Sequence, residues 1–205
     1  MNGYPPSGAR LSPSTARNRG PILGALEPRM PTAGAVLEIA AGAGEHAVFF
    51  AAAMPGLQWR PTDPDPLSLA SIAAWRNYRA LPNLREPLRL DASAPETWPG
   101  GPFDAVVNIN MIHISPWDAT LGLMAGAGKV LRRSGILFLY GPFIESGVET
   151  APSNLAFDAS LKARDPAWGL RLADAVIAAA ASRGLGLTER VEMPANNLAL
   201  FFERD

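Results

Sequence analysis

Apolar positions along this chain fall into short runs separated by glycine, proline and acidic turns, and the runs alternate between strand length and helix length. Residues 35–40 form an apolar run that stops before Gly42, and 45–53 read as a helix ended by Pro55-Gly56. Residues 57–62 are the next strand-like run, followed by the turn "DPDP" and a helix from 67 to 80. Further strands are expected at 84–90 and 103–110. "SPWD" then opens a helix reaching about residue 132, with Ser115 as N-cap, Pro116 as the first helical residue and Asp118 as the acid of the first turn. Residues 135–140 make a fifth strand and 170–182 an alanine-rich helix. Two last strands, 185–193 and 198–202, are joined by the short turn 194–197 and so predict an antiparallel hairpin.

Five strand–helix repeats followed by a hairpin predict an α/β fold. The expected form is a doubly wound, mostly parallel seven-stranded sheet with a C-terminal antiparallel hairpin and helices on both faces. A length of 205 residues and an apolar content of 48% suit one domain spanning 1–205. Two segments fall outside the repeats. An N-terminal arm, 1–30, has a proline-rich first dozen residues expected to be loose, and 141–168 reads as an irregular or briefly helical insertion. Long connections of that kind are often lids over a site.

Charge narrows the function. Eighteen basic residues against 19 acidic ones, with no basic run interleaved with aromatics, make nucleic acid an unexpected partner. The absence of cysteine removes disulfides and thiolate metal sites, and two histidines are too few for a histidine-rich metal cage, so no metal is expected. The first twenty residues lack the apolar core of a secretory signal, and no run approaches the ~18 residues of a membrane span. The expectation is a cytoplasmic protein without a membrane partner, its oligomeric state open.

The chemistry centres on "VLEIAAGAGEHA". Residues 42–47 fit the dinucleotide pattern G-x-G-x-x-G/A, with Asp63 about twenty residues further on, a weak signal by itself. Glu38 stands inside the strand, four residues before Gly42, where an acid meets a cationic ligand better than a nicotinamide dinucleotide. S-adenosyl-L-methionine (SAM) carries both a sulfonium and an ammonium. No second domain for hydride transfer follows, and no Gly-Lys-Ser/Thr of a phosphate-binding P-loop occurs.

The chain as a whole resembles class I SAM-dependent methyltransferases. The blocks "RNRGPIL", "LEIAAGAGEHA", "DPDP", "NMIHISPW", "LFLYGPF" and "MPANNL" are more closely similar to one group, the domain-of-unknown-function 938 family that contains the animal methyltransferase-like 26 proteins. The resemblance implies SAM as cofactor and assigns it residues: Glu38, Gly42 and Gly44 in the first motif, with Ala40 in place of its first glycine. A methyl group at 40 permits the turn if φ is negative. The same resemblance puts Asp63 on the ribose hydroxyls, with Asp65 as a second candidate, Asp91 and Ala92 at the adenine, and Asn108 beside the methyl position.

For the acceptor, His113 after the fourth strand is the candidate general base, with Tyr140 as a second catalytic candidate. The alternative for His113 is a loop cap. Aromatic walls and polar hooks suited to a small molecule come from Met111, Asn154, Phe157 and Trp168, with Asn18 and Arg19 joining from the arm and Asn197 from the hairpin turn. No G-x-S-x-G elbow supports a hydrolase, and "NINM" lacks the Asn/Asp-Pro-Pro-aromatic pattern of amide- and base-nitrogen methylation. The expected activity is methyl transfer from SAM to a small-molecule acceptor. A non-catalytic SAM-binding or partner-binding protein and a nicotinamide oxidoreductase remain as alternatives.

Overall fold

The computed structural model describes residues 6–205. Its main sheet has seven strands: β1 (Gly34–Ile39), β2 (Leu57–Asp63), β3 (Leu88–Arg89), β4 (Phe103–Ile109), β5 (Leu131–Gly141), β8 (Leu185–Met193) and β9 (Asn197–Arg204). Their order is β3-β2-β1-β4-β5-β9-β8, parallel through β5, with β9 reversed and antiparallel to both β5 and β8. β6 (Phe143–Ile144) and β7 (Arg171–Leu172) form a separate two-stranded parallel pair. The six α-helices are α1 (Pro13–Leu26), α2 (Glu45–Ala53), α3 (Pro66–Arg79), α4 (Trp117–Val130), α5 (Pro152–Arg164) and α6 (Ala173–Ala181).

Alternation along the strands divides the core into two layers. Val36, Trp59, Val107, Phe138, Tyr140 and Phe201 face the layer built on α1 and α2. Leu37, Ile39, Val106, Leu139, Leu200 and Phe202 face the layer built on α4 and α6. This parity decides what Tyr140 meets: it lies on the α1 side, among Ile22, Leu26 and Phe50.

Several segments differ from the sequence expectation. The arm is a folded element, because α1 buries Ile22 and Leu26 completely against the sheet. Residues 6–12 are tied down where a loose segment was expected, since the Arg10 amide donates to Ser71 Oγ and the Trp75 indole donates to Arg10 O. Residues 1–5 of that expected loose segment lie outside the described residues. The third strand is far shorter than 84–90, because Pro87 offers no amide to the ladder; only Leu88 and Arg89 pair, with an isolated bridge from Leu84 to Trp59. Ser115 is not the cap of α4. Its hydroxyl donates back to Met111 O at 2.8 Å, and Pro116 holds the cap position. The insertion contains the thirteen-residue helix α5, and β6–β7 closes its base.

Candidate active site

Every turn at the carboxyl ends of β1, β2 and β4 is shaped by side chains that the strand pattern delivers there. β1 runs into Ala40, at φ 56°, and then Gly42, at φ 58°. Ala40 therefore occupies the left-handed region, against the expectation of a negative φ, a conformation that costs an L-residue but lets the chain turn sharply out of β1. A Cβ at Gly42 would meet nothing within 4 Å, so this turn offers its backbone to an open approach. Gly44 serves packing instead: at φ 89° it caps α2, and a Cβ there would lie 2.9 Å from Ile72 Cα on α3.

Asp63 braces the turn. Its Oδ2 accepts the Gly42 amide at 2.9 Å and its Oδ1 accepts the Asp65 amide at 3.0 Å. A carboxylate has about four acceptor positions, so ligand hydroxyls still have places on it. Burial raises its pKa, and the two backbone amides oppose that rise. Asp65 is occupied as the cap of α3, accepting from the Leu67 and Ser68 amides.

Glu38 lies beneath the turn, 2% exposed, with Oε2 accepting the Trp59 indole N–H at 2.6 Å. Burial lifts its pKa to about 7, the indole bond pulling the other way and the Asp63 charge adding to the rise. Asn108 is interior as well: its Nδ2 donates to Ile39 O, tying β4 to β1, and it lines neither cavity described below.

Two cavities flank the 110–111 segment. The first, about 770 Å³, is walled by Ile39, Ala40, Leu90, Ala92 and Met111, so Met111 stands at this cavity and not at the second one. Asp63, Asp91 and Asp118 also line it, and no lysine, arginine or histidine does. Asp91 spends Oδ1 on the Ser93 amide and hydroxyl. The second cavity, about 550 Å³, lies on the α1 side and takes Asn18, Asn110, Tyr140, Asn154, Phe157 and Asn197 into its wall. Its one charged side chain is Arg17. A smaller recess of about 260 Å³ behind Asn154 and Asn197 carries Glu145, already paired with Arg190.

Asn18 is the hub of the second cavity. Its Oδ1 meets His46 Nε2 at 2.9 Å, and its side chain lies beside the Tyr140 hydroxyl, which lines the same cavity. Burial pushes His46 down to about 4, with Arg19 adding to the fall, and raises Tyr140. A neutral His46 must donate to an amide oxygen, which leaves the amide nitrogen as a donor.

Other expected acceptor residues are elsewhere. His113 does not project toward a ligand: it is 0% exposed, edge-on to Phe143 at 5.0 Å, and lines neither cavity. The 111–115 turn folds it inward, and the Arg171 guanidinium staples that turn by donating to Ile112 O and Ser115 O. Burial and the Arg171 charge push its pKa to about 3. Arg19 lies over the Phe49 ring at 4.9 Å, and Trp168 stacks under Arg164 at 4.9 Å; neither reaches either cavity. Asn154 and Asn197 line the second cavity while bracing structure, Asn154 donating to Asn196 O and Asn197 to Pro194 O.

Sequence reasoning missed Arg17, Asp118 as a cavity acid, and Arg171. Helical spacing held the signal for the first, because Ser14, Arg17, Asn18 and Pro21 share one face of α1 and Arg19 does not. Among the described residues no group of three or more His, Asp and Glu is placed to hold a metal ion, and no helix is long and apolar enough to cross a membrane.

A family profile described as "Protein of unknown function (DUF938)" matches residues 9–204. Among solved structures, an O-methyltransferase family protein from Burkholderia thailandensis is 15% identical and superposes with a TM-score of 0.79 over 94% of this chain and 57% of its own. The mitomycin 7-O-methyltransferase MmcR is 19% identical, with a TM-score of 0.81 over 94% of this chain and 54% of its own. A methyltransferase in calicheamicin biosynthesis, solved with S-adenosylhomocysteine (SAH) bound, is 16% identical at a TM-score of 0.72, covering 94% and 54%. At such identities the likeness is one of fold. The chain spans little more than half the length of each.

Proposed function

The chain belongs to the DUF938 family, and from that premise we propose that it is a SAM-dependent methyltransferase acting on a small molecule. The observation that carries the reading is the charge of the first cavity. Three carboxylates and no cationic side chain line it, beside a glycine turn open to approach. That lining suits a ligand rich in hydroxyl donors and positive charge, and it repels the pyrophosphate of a dinucleotide. The N-terminus of α2, where a pyrophosphate would sit, holds the Glu45 carboxylate, which accepts the Ser12 amide at 2.5 Å.

The residues present fit SAM in this order. Asp63 would accept the ribose hydroxyls, Asp91 and Ala92 would bound the adenine with Leu90, and the open turn at Gly42 would receive the methionine end. Glu38 lies under that turn, and a cation above it would favour its ionised form. When bound, SAM supplies a methyl carbon already activated by its sulfonium. The protein's part is to fix the acceptor in line with that carbon and to exclude water. The 110–111 segment, bounded by both cavities, is the place where the two ligands would meet.

Calorimetry tests this. SAH is expected to bind in the micromolar range, about −8 kcal/mol, and NAD not to bind. Asp63→Ala should weaken SAH by about 1.5–3 kcal/mol, the scale of a hydrogen bond to a charged group. Binding of NAD without SAH or SAM would replace this reading with an oxidoreductase. SAH binding without turnover of any acceptor would favour a non-catalytic SAM-binding protein.

A further inference from the structure

We propose, resting on the methyl-transfer reading, that the second cavity receives a small carboxylic acid and that the acceptor atom is its carboxylate oxygen. The first observation is charge. Among the described residues Arg17 is the only charged side chain in the cavity wall, and it has no ion-pair or hydrogen-bond partner. The acids around the two cavities have other places: Asp63, Asp91 and Asp118 line the first cavity, and Glu145 of the recess is paired with Arg190. A planar guanidinium with free donors matches a carboxylate with two parallel bonds.

The second observation is the absence of a base. No Asp, Glu, His or Lys lines the cavity. His113 is sealed under Phe143, and the His46 ring nitrogen that reaches the cavity side is spent on Asn18. Tyr140 is the one remaining titratable group there, and burial keeps it protonated at neutral pH. An alcohol or ammonium acceptor must lose a proton on methylation, and nothing in this wall takes one. A carboxylate is already ionised at neutral pH.

The third observation is where hydrogen-bond donors point. His46 fixes the Asn18 amide beside Tyr140, and both Asn18 and Tyr140 line the cavity, where the amide N–H and the phenol O–H can donate to a ligand. The Arg17 guanidinium offers donors and no acceptor, and the Tyr140 hydroxyl can add one more donor. Phe157, Pro21, Pro142 and Pro194 supply flat apolar walls for the body of the acid. In the reaction a C–O bond forms between a carboxylate oxygen and the methyl carbon while the C–S bond breaks. The electron pair of that bond stays on sulfur, the sulfonium becomes a neutral thioether, and the product is a methyl ester with no proton released.

The test uses the full chain, with benzoate, phenylacetate and hexanoate as probes against benzamide and benzyl alcohol. Binding is read by calorimetry with and without SAH, and turnover is followed with tritium-labelled SAM by release of volatile methanol in alkali. At least one acid should bind where its neutral counterparts do not. Arg17→Gln should weaken that acid about tenfold to a hundredfold while SAH affinity stays unchanged. The label should be alkali-labile, and the rate should lack a limb near pH 7. Equal binding of the neutral probes overturns the proposal, as does no acid binding, an indifferent Arg17→Gln variant or an alkali-stable label. If SAH itself fails to bind, the methyl-transfer reading falls, whereas acids that fail beside normal SAH binding remove only the carboxylate.

Discussion

At the residue scale, the glycine turn separates two jobs that look alike in sequence. Ala40 sits at φ 56°, where an L-residue is strained by about 1–2 kcal/mol. Glycine would relieve that strain but lose about 0.5–1 kcal/mol through the entropy of the unfolded chain. Ala40→Gly should therefore leave stability unchanged or raise it by up to about 1.5 kcal/mol. Gly44→Ala is different: it places a Cβ 2.9 Å from the Ile72 backbone at φ 89°. It should cost about 2–3 kcal/mol through combined strain and overpacking. Urea midpoints measure both, and a Gly44→Ala protein as stable as the parent would mean α2 and α3 separate easily. Nothing in "AAGAG" tells the two glycines apart, because the difference lies in Ile72, on another helix.

At the element scale, α1 and α5 form opposite walls of the second cavity and differ in anchorage. α1 fixes itself with fully buried Ile22 and Leu26, so Ile22→Ala should cost about 2–5 kcal/mol. α5 buries only Asn154 and Leu161 of its thirteen residues. Elements with few buried contacts open at low free energy. Amides of α5 should exchange with deuterium faster than those of α4, and Asn154→Ala should quicken α5 further by removing its bond to Asn196 O. Equal protection of α4 and α5 would make α5 a fixed buttress. The sequence marked 141–168 as an irregular or briefly helical insertion, and the length and bounds of its thirteen-residue helix were not legible there, since a helix with two buried residues carries a faint apolar period.

At the scale of the whole molecule, three buried groups set the response to acid. His46 and His113 have folded pKa values of about 4 and about 3, below their unfolded values near 6.5. Their stabilisation is complete above pH ~6.5 and is lost as pH falls, because the unfolded chain takes protons the folded one refuses. Glu38, raised to about 7, has the opposite sign: the folded protein holds a proton that the unfolded chain releases, which offsets one histidine between pH ~4.5 and ~6.5. Over these three groups the net difference is one proton, so they should lower stability by about 1.4 kcal/mol for each pH unit that the pH falls in that window. Glu38→Gln removes the offset and should roughly double the slope. Urea denaturation from pH 6.5 to 5 gives both slopes, and identical slopes would show that Glu38 ionises freely in the fold.

The sequence by itself determined the order of the seven main-sheet strands and of the helices α2, α3, α4 and α6, the C-terminal hairpin and the turn between β1 and α2. These rest on short-range rules: alternation within a strand, glycine where φ is positive, proline and acids at helix starts. It also carried two of the three acids of the first cavity, because Asp63 and Asp91 follow strand ends, where an α/β sheet binds its ligands. Only the tertiary structure decided which polar residues reach a ligand. His113 follows a strand end too, yet Arg171, 58 positions later in the chain, pins its turn inward under Phe143. Arg17 faces the second cavity and Arg19 does not, a matter of how α1 is rotated against the sheet. The link from His46 through Asn18 to Tyr140 joins a helix, a second helix and a strand. Burial and contact between such distant segments depend on packing, which no local pattern of residues encodes.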